Sequence, residues 1–475
     1  MAAFGFLGAQ RLSPLPSLSA FLLLAVALPL TAQDGKTKSA PPPSQPWRLS
    51  QAVGCPPWLK VSGEHRTRFE TLNGQFRAAP TLADTDDQVM LRTLLRADVD
   101  FDPVGGTVEV IDARAYGSDD GSLLDTSIVD TVDLLQAHVT FALGKFAGGE
   151  HRLLAGREAL DLGSRRLVAR NAYRNTINSF NGVDYLWQDD AGTSAHLFWT
   201  LPTMRRPGDF ASLRDNDHDW DDQDLDLQFM GGHAGGRFDE RTHWEGYAYG
   251  LYEHGTNTRR RRLVTPGLRL VRTGKPGQFF GEIEAAYQFG ESKSSTSVTA
   301  PELDHSAWFG HVSVGFTFDV AWQPAVRLAY DYASGDSDPN DGDNGRFDTL
   351  FGARRFEYGP TGLWGAVARS NLSSPELRVS LKPGKNVRVI AAYRDVRLAA
   401  ERDTWTTAGV RDSSGSAGDH VGQQVELRLQ WDPWPKNLRI EAGGAYLVAG
   451  RFQEDAPNGR GGDSRYGYVE MVWTF

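Results

Sequence analysis

Arg66 and Arg68, Arg92 and Arg96, and Arg378 with Lys382 stand at even spacings inside stretches that alternate apolar and polar residues. Even spacing puts two side chains on one face of a strand. Arg428 falls in the same pattern, and Arg157, Arg165, Arg166, Arg170 and Arg174 crowd one short segment. A guanidinium is a permanent planar cation whose donors match carboxylates and phosphates. A channel wall carrying several of them favours anions. Acids share these faces, among them Glu64, Asp98, Glu376 and Glu426. Two readings follow: an anion path, or a polar interior filled by matched pairs.

Two acidic stretches offer hard oxygen ligands. Asp336, Asp338, Asp341 and Asp343, with Asn340 and Asn344, have the donor type of a calcium site without the spacing of a helix-loop-helix loop. Asp215 to Asp226, with His218, is the second such stretch. Catalysis finds less support. His218 beside Asp217 and His305 beside Asp304 are neighbours in sequence, and no Gly-x-Ser-x-Gly is present. With no assignable nucleophile, the expectation is a protein that is not an enzyme. The lone Cys55, beside Pro56 and Pro57, excludes an internal disulfide.

The elements that carry these residues are strands. Leu59, Val61, Gly63, His65, Thr67 and Phe69 share one face, and Lys60, Ser62, Glu64, Arg66, Arg68 and Glu70 the other. Further alternating stretches run over 88–101, 107–117, 132–143, 151–157, 179–188, 193–201, 224–236, 243–254, 262–272, 278–290, 305–318 and 322–333. The last lie over 374–382, 386–398, 421–432, 436–449 and 464–475. Together they make about 18 strands, within the range of closed outer-membrane barrels. Charges on both faces blur the register of 107–117, 262–272 and 386–398.

The links alternate between short and long. Short ones include 102–106, 188–193, 273–277, 383–385 and 433–436. Long polar ones cover 71–87, 158–178, 202–223, 334–373, 399–420 and 451–463. Tight turns at one end and long loops at the other are the layout of a transmembrane antiparallel β-barrel, with short periplasmic turns and long extracellular loops. An even strand count places both ends of the barrel on the periplasmic side. The segment 334–373 is long enough to cover the mouth or fold inward as a gate. The arginine run Arg259 to Arg262 falls in an outer loop.

Bulk properties agree. Mean hydropathy is −0.42. The sequence after the leader has no apolar run of about 18 residues, so helical spans are excluded, whereas a barrel needs only alternate residues in lipid. The net charge of −10 argues against nucleic-acid binding. Arg11 followed by the apolar core Phe21 to Leu30 reads as a signal peptide over 1–32, cut near Gln33. A proline-rich, flexible lead-in over 33–57 precedes a barrel over 58–475. The closing strand ends on Phe475, with Val469, Met471 and Trp473 on its apolar face.

Two motifs add a resemblance. One is Leu154-Ala-Gly-Arg157, leading through Gly163-Ser-Arg-Arg166-Leu and Arg174-Asn175 to Phe180-Asn-Gly-Val183. The other is Ser334-Gly-Asp336 leading to Phe347-Asp-Thr-Leu-Phe351. Together they resemble the alginate-export family of outer-membrane barrels. Glu158 stands where that family commonly has glutamine, Asn181 where it often has aspartate, and Gly352 to Phe356 where Pro and His often follow.

The resemblance implies a monomeric channel in the bacterial outer membrane for passive diffusion of an anionic carbohydrate such as alginate or related uronates. Arg66, Arg68, Arg92, Arg96, Arg157, Arg166, Arg378 and Arg428 are the expected lumen path. Phe475 is the expected signal to the barrel-assembly machinery, and outer-membrane lipid the surrounding partner. No cofactor is expected beyond a Ca2+ at Asp336, Asp338, Asp341 and Asp343. The alternatives are a porin for small organic acids or sugars, and a plugged structural or adhesion barrel.

Overall fold

The computed structural model describes residues 46–475. The expected leader and the first part of the lead-in lie outside the described residues. The chain forms a closed antiparallel barrel of 18 strands. In chain order they are β1 (Leu59–Asn73), β2 (Thr85–Asp100), β3 (Val104–Tyr116), β4 (Asp130–Phe146), β5 (Gly149–Glu158) and β6 (Phe180–Asp189). Then come β7 (Ser194–Pro202), β8 (Leu227–Arg237), β9 (Thr242–Glu253), β10 (Arg262–Arg272), β11 (Gln278–Lys293) and β12 (Glu302–Thr317). The last are β13 (Ala325–Ala333), β14 (Leu372–Gly384), β15 (Val387–Arg397), β16 (His420–Trp434), β17 (Leu438–Ala449) and β18 (Ser464–Thr474). Every alternating stretch in the sequence is one of these strands.

The register follows from the cost of a slip. Arg66, Arg68 and Glu70 are buried inside, while Phe69 is exposed on the outer wall. A shift by one residue would turn both arginines toward lipid, at roughly 2–4 kcal/mol each near the midplane. Trp308, Val312, Val314, Leu328, Tyr330, Val425 and Leu427 are likewise exposed on the outer wall. In β10, Leu268 and Leu270 are exposed between ends that carry Arg262 and Arg272. The charges on the lipid-side face therefore lie at its ends, and Arg269 turns inward to Glu245 and Glu282.

Closure removes every free edge, as lipid requires. β1 pairs antiparallel with β18, Arg68 opposite Glu470. Gly63 and Phe475 exchange backbone hydrogen bonds of 2.8 and 2.9 Å across this seam. The Phe475 ring lies against Gly63, where a Cβ would overlap it and stand 2.8 Å from the Leu94 carbonyl oxygen. Gly63→Val is expected to cost about 1–3 kcal/mol by overpacking. The measurement is the fraction of protein that keeps the mobility of a folded barrel in unheated detergent gels. An unchanged fraction would contradict this role for the glycine.

Just before β1, the one-turn helix Leu49–Ala52 sits at the periplasmic end. Ser50 Oγ donates to the Val61 carbonyl (2.6 Å), and Trp47 N donates to Asn437 Oδ1 (2.9 Å).

Two of the long outer segments turn inward rather than outward. They are 159–179, between β5 and β6, and 345–371, between β13 and β14. Leu160, Leu162, Leu167, Val168, Phe347, Leu363 and Trp364 from these segments form one buried cluster with wall residues such as Phe180, Phe229 and Tyr466. The segments also pair with each other. Phe351 N donates to the Leu167 carbonyl (2.9 Å), Ala353 N donates to Arg165 (2.9 Å), and Ala169 N donates to Phe351 (3.2 Å). Gly352 is the point of closest approach, because a Cβ there would overlap the Arg166 carbonyl.

Candidate functional site

The inward segments are fastened by the arginines that the sequence singled out. Arg66 and Arg92 face each other across β1 and β2, a like-charge pair that a sheet disfavours. Both donate to the carbonyls of Ala172 and Arg174, at 2.7 to 3.1 Å. Arg66 also reaches the Tyr173 carbonyl (2.9 Å) and Asn175 Oδ1 (2.9 Å). Peptide dipoles of the 159–179 segment thus absorb charge from both guanidiniums. Arg68 joins Glu470 and Glu70 and stacks 4.0 Å from the centre of the Tyr173 ring.

Five strands around the barrel from β1, Arg378 of β14 donates to the carbonyls of Phe356 (2.7 Å) and Glu357 (2.6 Å). Arg166 of the first inward segment joins Glu282 and Glu284 of β11 and Glu357 of the second (2.5 Å). Arg369 holds the other oxygen of Glu357. Burial raises the cost of ionising Glu357, but Arg166 and Arg369 outweigh it and hold this carboxyl well below the usual range.

All eight expected lumen arginines have a carboxylate oxygen within 4.0 Å. They do not form one ring. Arg66, Arg92 and Arg428 line a chamber of about 420 Å³ on the periplasmic side of the inward segments, roofed by Ala172 and Tyr173. Arg355, Lys436 and Arg439 join them, and six cations there face four carboxylates, Glu64, Asp432, Glu441 and Glu470. Arg96 pairs with Asp98 toward the periplasmic end of β2. Arg157 pairs with Asp133 at the outer end of β5.

Three further arginines behave differently. Arg77 lies between β1 and β2, Arg174 in the first inward segment, and Arg354 in the second. Among the described residues, none of the three has a carboxylate oxygen within 4.0 Å. Arg77 Nη1 donates to the Leu363 carbonyl (2.9 Å), Arg354 Nη1 donates to Gly365 (3.3 Å), and Arg174 Nη2 donates to Asn178 Oδ1. Burial, then Arg205 and Arg354, press Arg174 down to about 9. Burial, then Arg369, press Arg354 to about 10, and burial, then Arg354, press Arg77 to about 10. Asp125 offsets all three from farther away. Guanidiniums remain protonated at neutral pH, so these shifts register unmatched positive charge. Arg174 was visible in the sequence as one of a crowd. Arg77 and Arg354 were not, because they lie in loops with no periodicity to show which way they point.

The acidic loop hydrogen-bonds within its own turn and to Asp403 of the neighbouring loop. The Asp336 N–H donates to Asp403 Oδ2 (2.9 Å). Asp338 and Asp341 accept from backbone amides of their own turn, Asn340 N (3.3 Å) and Asp343 N (2.9 Å). Among the described residues, the groups that bring three potential ligand atoms within 4.8 Å lie elsewhere, at His311, Asp331 and Glu357 and at Asp130, Asp133 and Asp221. The first of these is filled by Arg166, Arg369 and Arg394.

The fold recurs in solved porins. OccK9 (OpdG) of Pseudomonas aeruginosa aligns with a TM-score of 0.57 at 13% identity, covering 88% of this chain and 98% of that one. The BenF-like porin of Pseudomonas fluorescens Pf-5 aligns with a TM-score of 0.56 at 11% identity, covering 88% and 98%. OpdK of Pseudomonas aeruginosa, solved with vanillate, aligns with a TM-score of 0.55 at 11% identity, covering 87% and 98%. No curated protein matches the chain. The family model described as Alginate export matches residues 57–465. This outer-membrane β-barrel, built as a transport channel, belongs to the alginate-export family.

Proposed function

We propose that the barrel passes an anionic carbohydrate, such as alginate or a related uronate, and that its inward segments gate the passage. The observation that carries this reading is the trio Arg77, Arg174 and Arg354, half-buried without a carboxylate partner where three loops meet. A uronate brings the missing charge as a planar carboxylate that a guanidinium binds with two parallel hydrogen bonds. The surplus of cations around the periplasmic chamber supplies a second station. Of the eight paired arginines, Arg66, Arg68, Arg92, Arg166 and Arg378 hold the inward segments, while Arg96, Arg157 and Arg428 pair with acids of the wall. Release stays possible because the periplasmic chamber is open rather than sealed. The barrel is proposed to act as a monomer after loss of its leader, with Phe475 presented to the barrel-assembly machinery.

A second reading has its own support, the chamber volume of about 420 Å³. That volume falls within the range of small-molecule sites. Under this reading the channel serves small organic acids, a class that includes the vanillate found with OpdK.

Flux into proteoliposomes separates the two. Oligouronates are expected to enter faster than neutral oligosaccharides of equal length, and to compete with each other. Preferential entry of small carboxylates with exclusion of oligomers would favour the second reading. Equal entry of charged and neutral sugars would overturn both.

A further inference from the structure

At the outer end of β4, three carboxylates gather. Asp130 and Asp133 are three residues apart, a spacing that in a regular strand points to opposite faces. Here a β-bulge intervenes. Ile111 and Ala113 of β3 pair with Asp133 and Asp130, so β4 carries one extra residue between them. Val132 takes φ +54° in the bulge and is exposed, while Asp130 and Asp133 are both buried. Asp221, from the outer loop between β7 and β8, completes the group. One carboxylate oxygen from each of the three lies within 4.8 Å of the others.

The contacts leave this group short of partners. Asp133 accepts from Arg157 Nη1 (3.2 Å), from its neighbour Leu134 N, and from Asp221 N (2.7 Å). Asp221 accepts from Arg206 N (3.0 Å). Asp130 is 3% exposed, and its Oδ1 has no hydrogen-bond partner among the described residues. Its Oδ2 has only Arg205 Nε at 3.9 Å. The Thr131 hydroxyl beside it is also buried without a partner. Three carboxylates thus face two guanidiniums. Burial and the charge of Asp133 push the Asp221 carboxyl up to about 6. A buried carboxylate oxygen with no donor is costly, and the bulge that holds it there adds the strain of a β-branched residue at positive φ.

We propose that Asp130, Asp133 and Asp221 form a binding site for a hard divalent cation, calcium before magnesium, which ties the outer loop 203–226 to the barrel wall. All-oxygen donors select such an ion. Oxygens within 4.8 Å of one another suit Ca2+ at roughly 2.3–2.6 Å, and its tolerance of irregular geometry suits ligands from a bulge and a loop. Magnesium demands a near-ideal octahedron and keeps several waters. The cation satisfies the orphaned Asp130 oxygen and cancels the unmatched negative charge. The inference uses no solute and stands apart from the transport reading.

The test is calorimetric titration of CaCl2 into the full-length mature protein, folded in detergent without lipopolysaccharide and freed of metal. One calcium per chain is expected. Binding should weaken at least roughly tenfold in Asp130→Asn and in Asp221→Asn, which each remove a charged ligand. It should persist in an Asp338→Asn, Asp341→Asn double variant. Unheated gel mobility confirms that each variant is folded, and the loop position of Asp221 keeps one variant clear of the barrel wall. Calcium should also slow tryptic cleavage after the part-exposed Arg214, in the parent protein and not in Asp221→Asn. No binding at millimolar calcium would overturn the proposal. So would binding unchanged in both single variants, or binding lost only in the double variant.

Discussion

Excising residues 348–370 and joining Phe347 to Asn371 through two glycines is expected to raise single-channel conductance by roughly an order of magnitude, because a barrel of this strand number leaves an aqueous bore once its filling is removed. The cut is geometrically mild. Phe347 N and Asn371 N both donate to the Ser334 carbonyl, at 3.0 and 3.2 Å, so the segment leaves the wall and returns to it at the same place. The wall keeps much of its charge balance. Arg166 retains Glu282 and Glu284, and Arg378 retains Glu376.

A milder version is Gly352→Val. Its side chain would overlap the Arg166 carbonyl and prise apart the Phe351–Leu167 pairing. Overpacking of about 1–3 kcal/mol shifts a closed population toward open by roughly fivefold to a hundredfold. The expected record is more frequent opening at unchanged unit conductance. If the excised variant conducts no better than the parent, the segment 345–371 is not the gate.

The second large effect concerns the unmatched arginines. Arg174→Ala with Arg354→Ala is expected to weaken block by oligouronates by roughly tenfold or more for each charge-assisted hydrogen bond lost, about 1.5–3 kcal/mol apiece. Folding should not suffer, since the substitutions remove half-buried like charges that press on each other. Block of the parent channel should fall as salt is raised from 0.1 M, where the screening length is about 10 Å. The double variant should lose most of that salt dependence. Arg96→Ala is the control, because Arg96 pairs with Asp98 away from both stations. Equal loss of block in the control and the double variant would remove the special role of the trio.

The barrel itself was legible in the sequence because a lipid-facing wall imposes a period of two on every strand. Arg68 beside Phe69 already fixed which face meets lipid, and the loop-length asymmetry gave the direction. The closing strand and its terminal aromatic marked the seam that Gly63 and Phe475 complete. What the sequence could not show depends on the loops. Nothing in 334–373 distinguishes a surface loop from a segment folded into the bore, since its apolar residues Phe347, Leu363 and Trp364 have no common period. Alternation put Arg66, Arg68, Arg92, Arg96, Arg378 and Arg428 on the face opposite the apolar one, but the partners of several are main-chain carbonyls from 172–174 and 356–357, which carry no sequence signal. The carboxylate group at β4 was hidden for a different reason. A spacing of three reads as two faces, and only the bulge at Val132 turns both side chains inward.

The central claim is that unmatched arginines make this bore a path for anions. Reversal potential across a planar bilayer under a KCl gradient tests it most directly, read in the Gly352→Val background, which opens the path while keeping Arg354. The account expects a potential of the sign set by chloride, collapsing toward zero in Arg174→Ala with Arg354→Ala and reduced in current by oligouronates. A potential of the sign set by potassium, indifferent to those substitutions and to uronates, would contradict it.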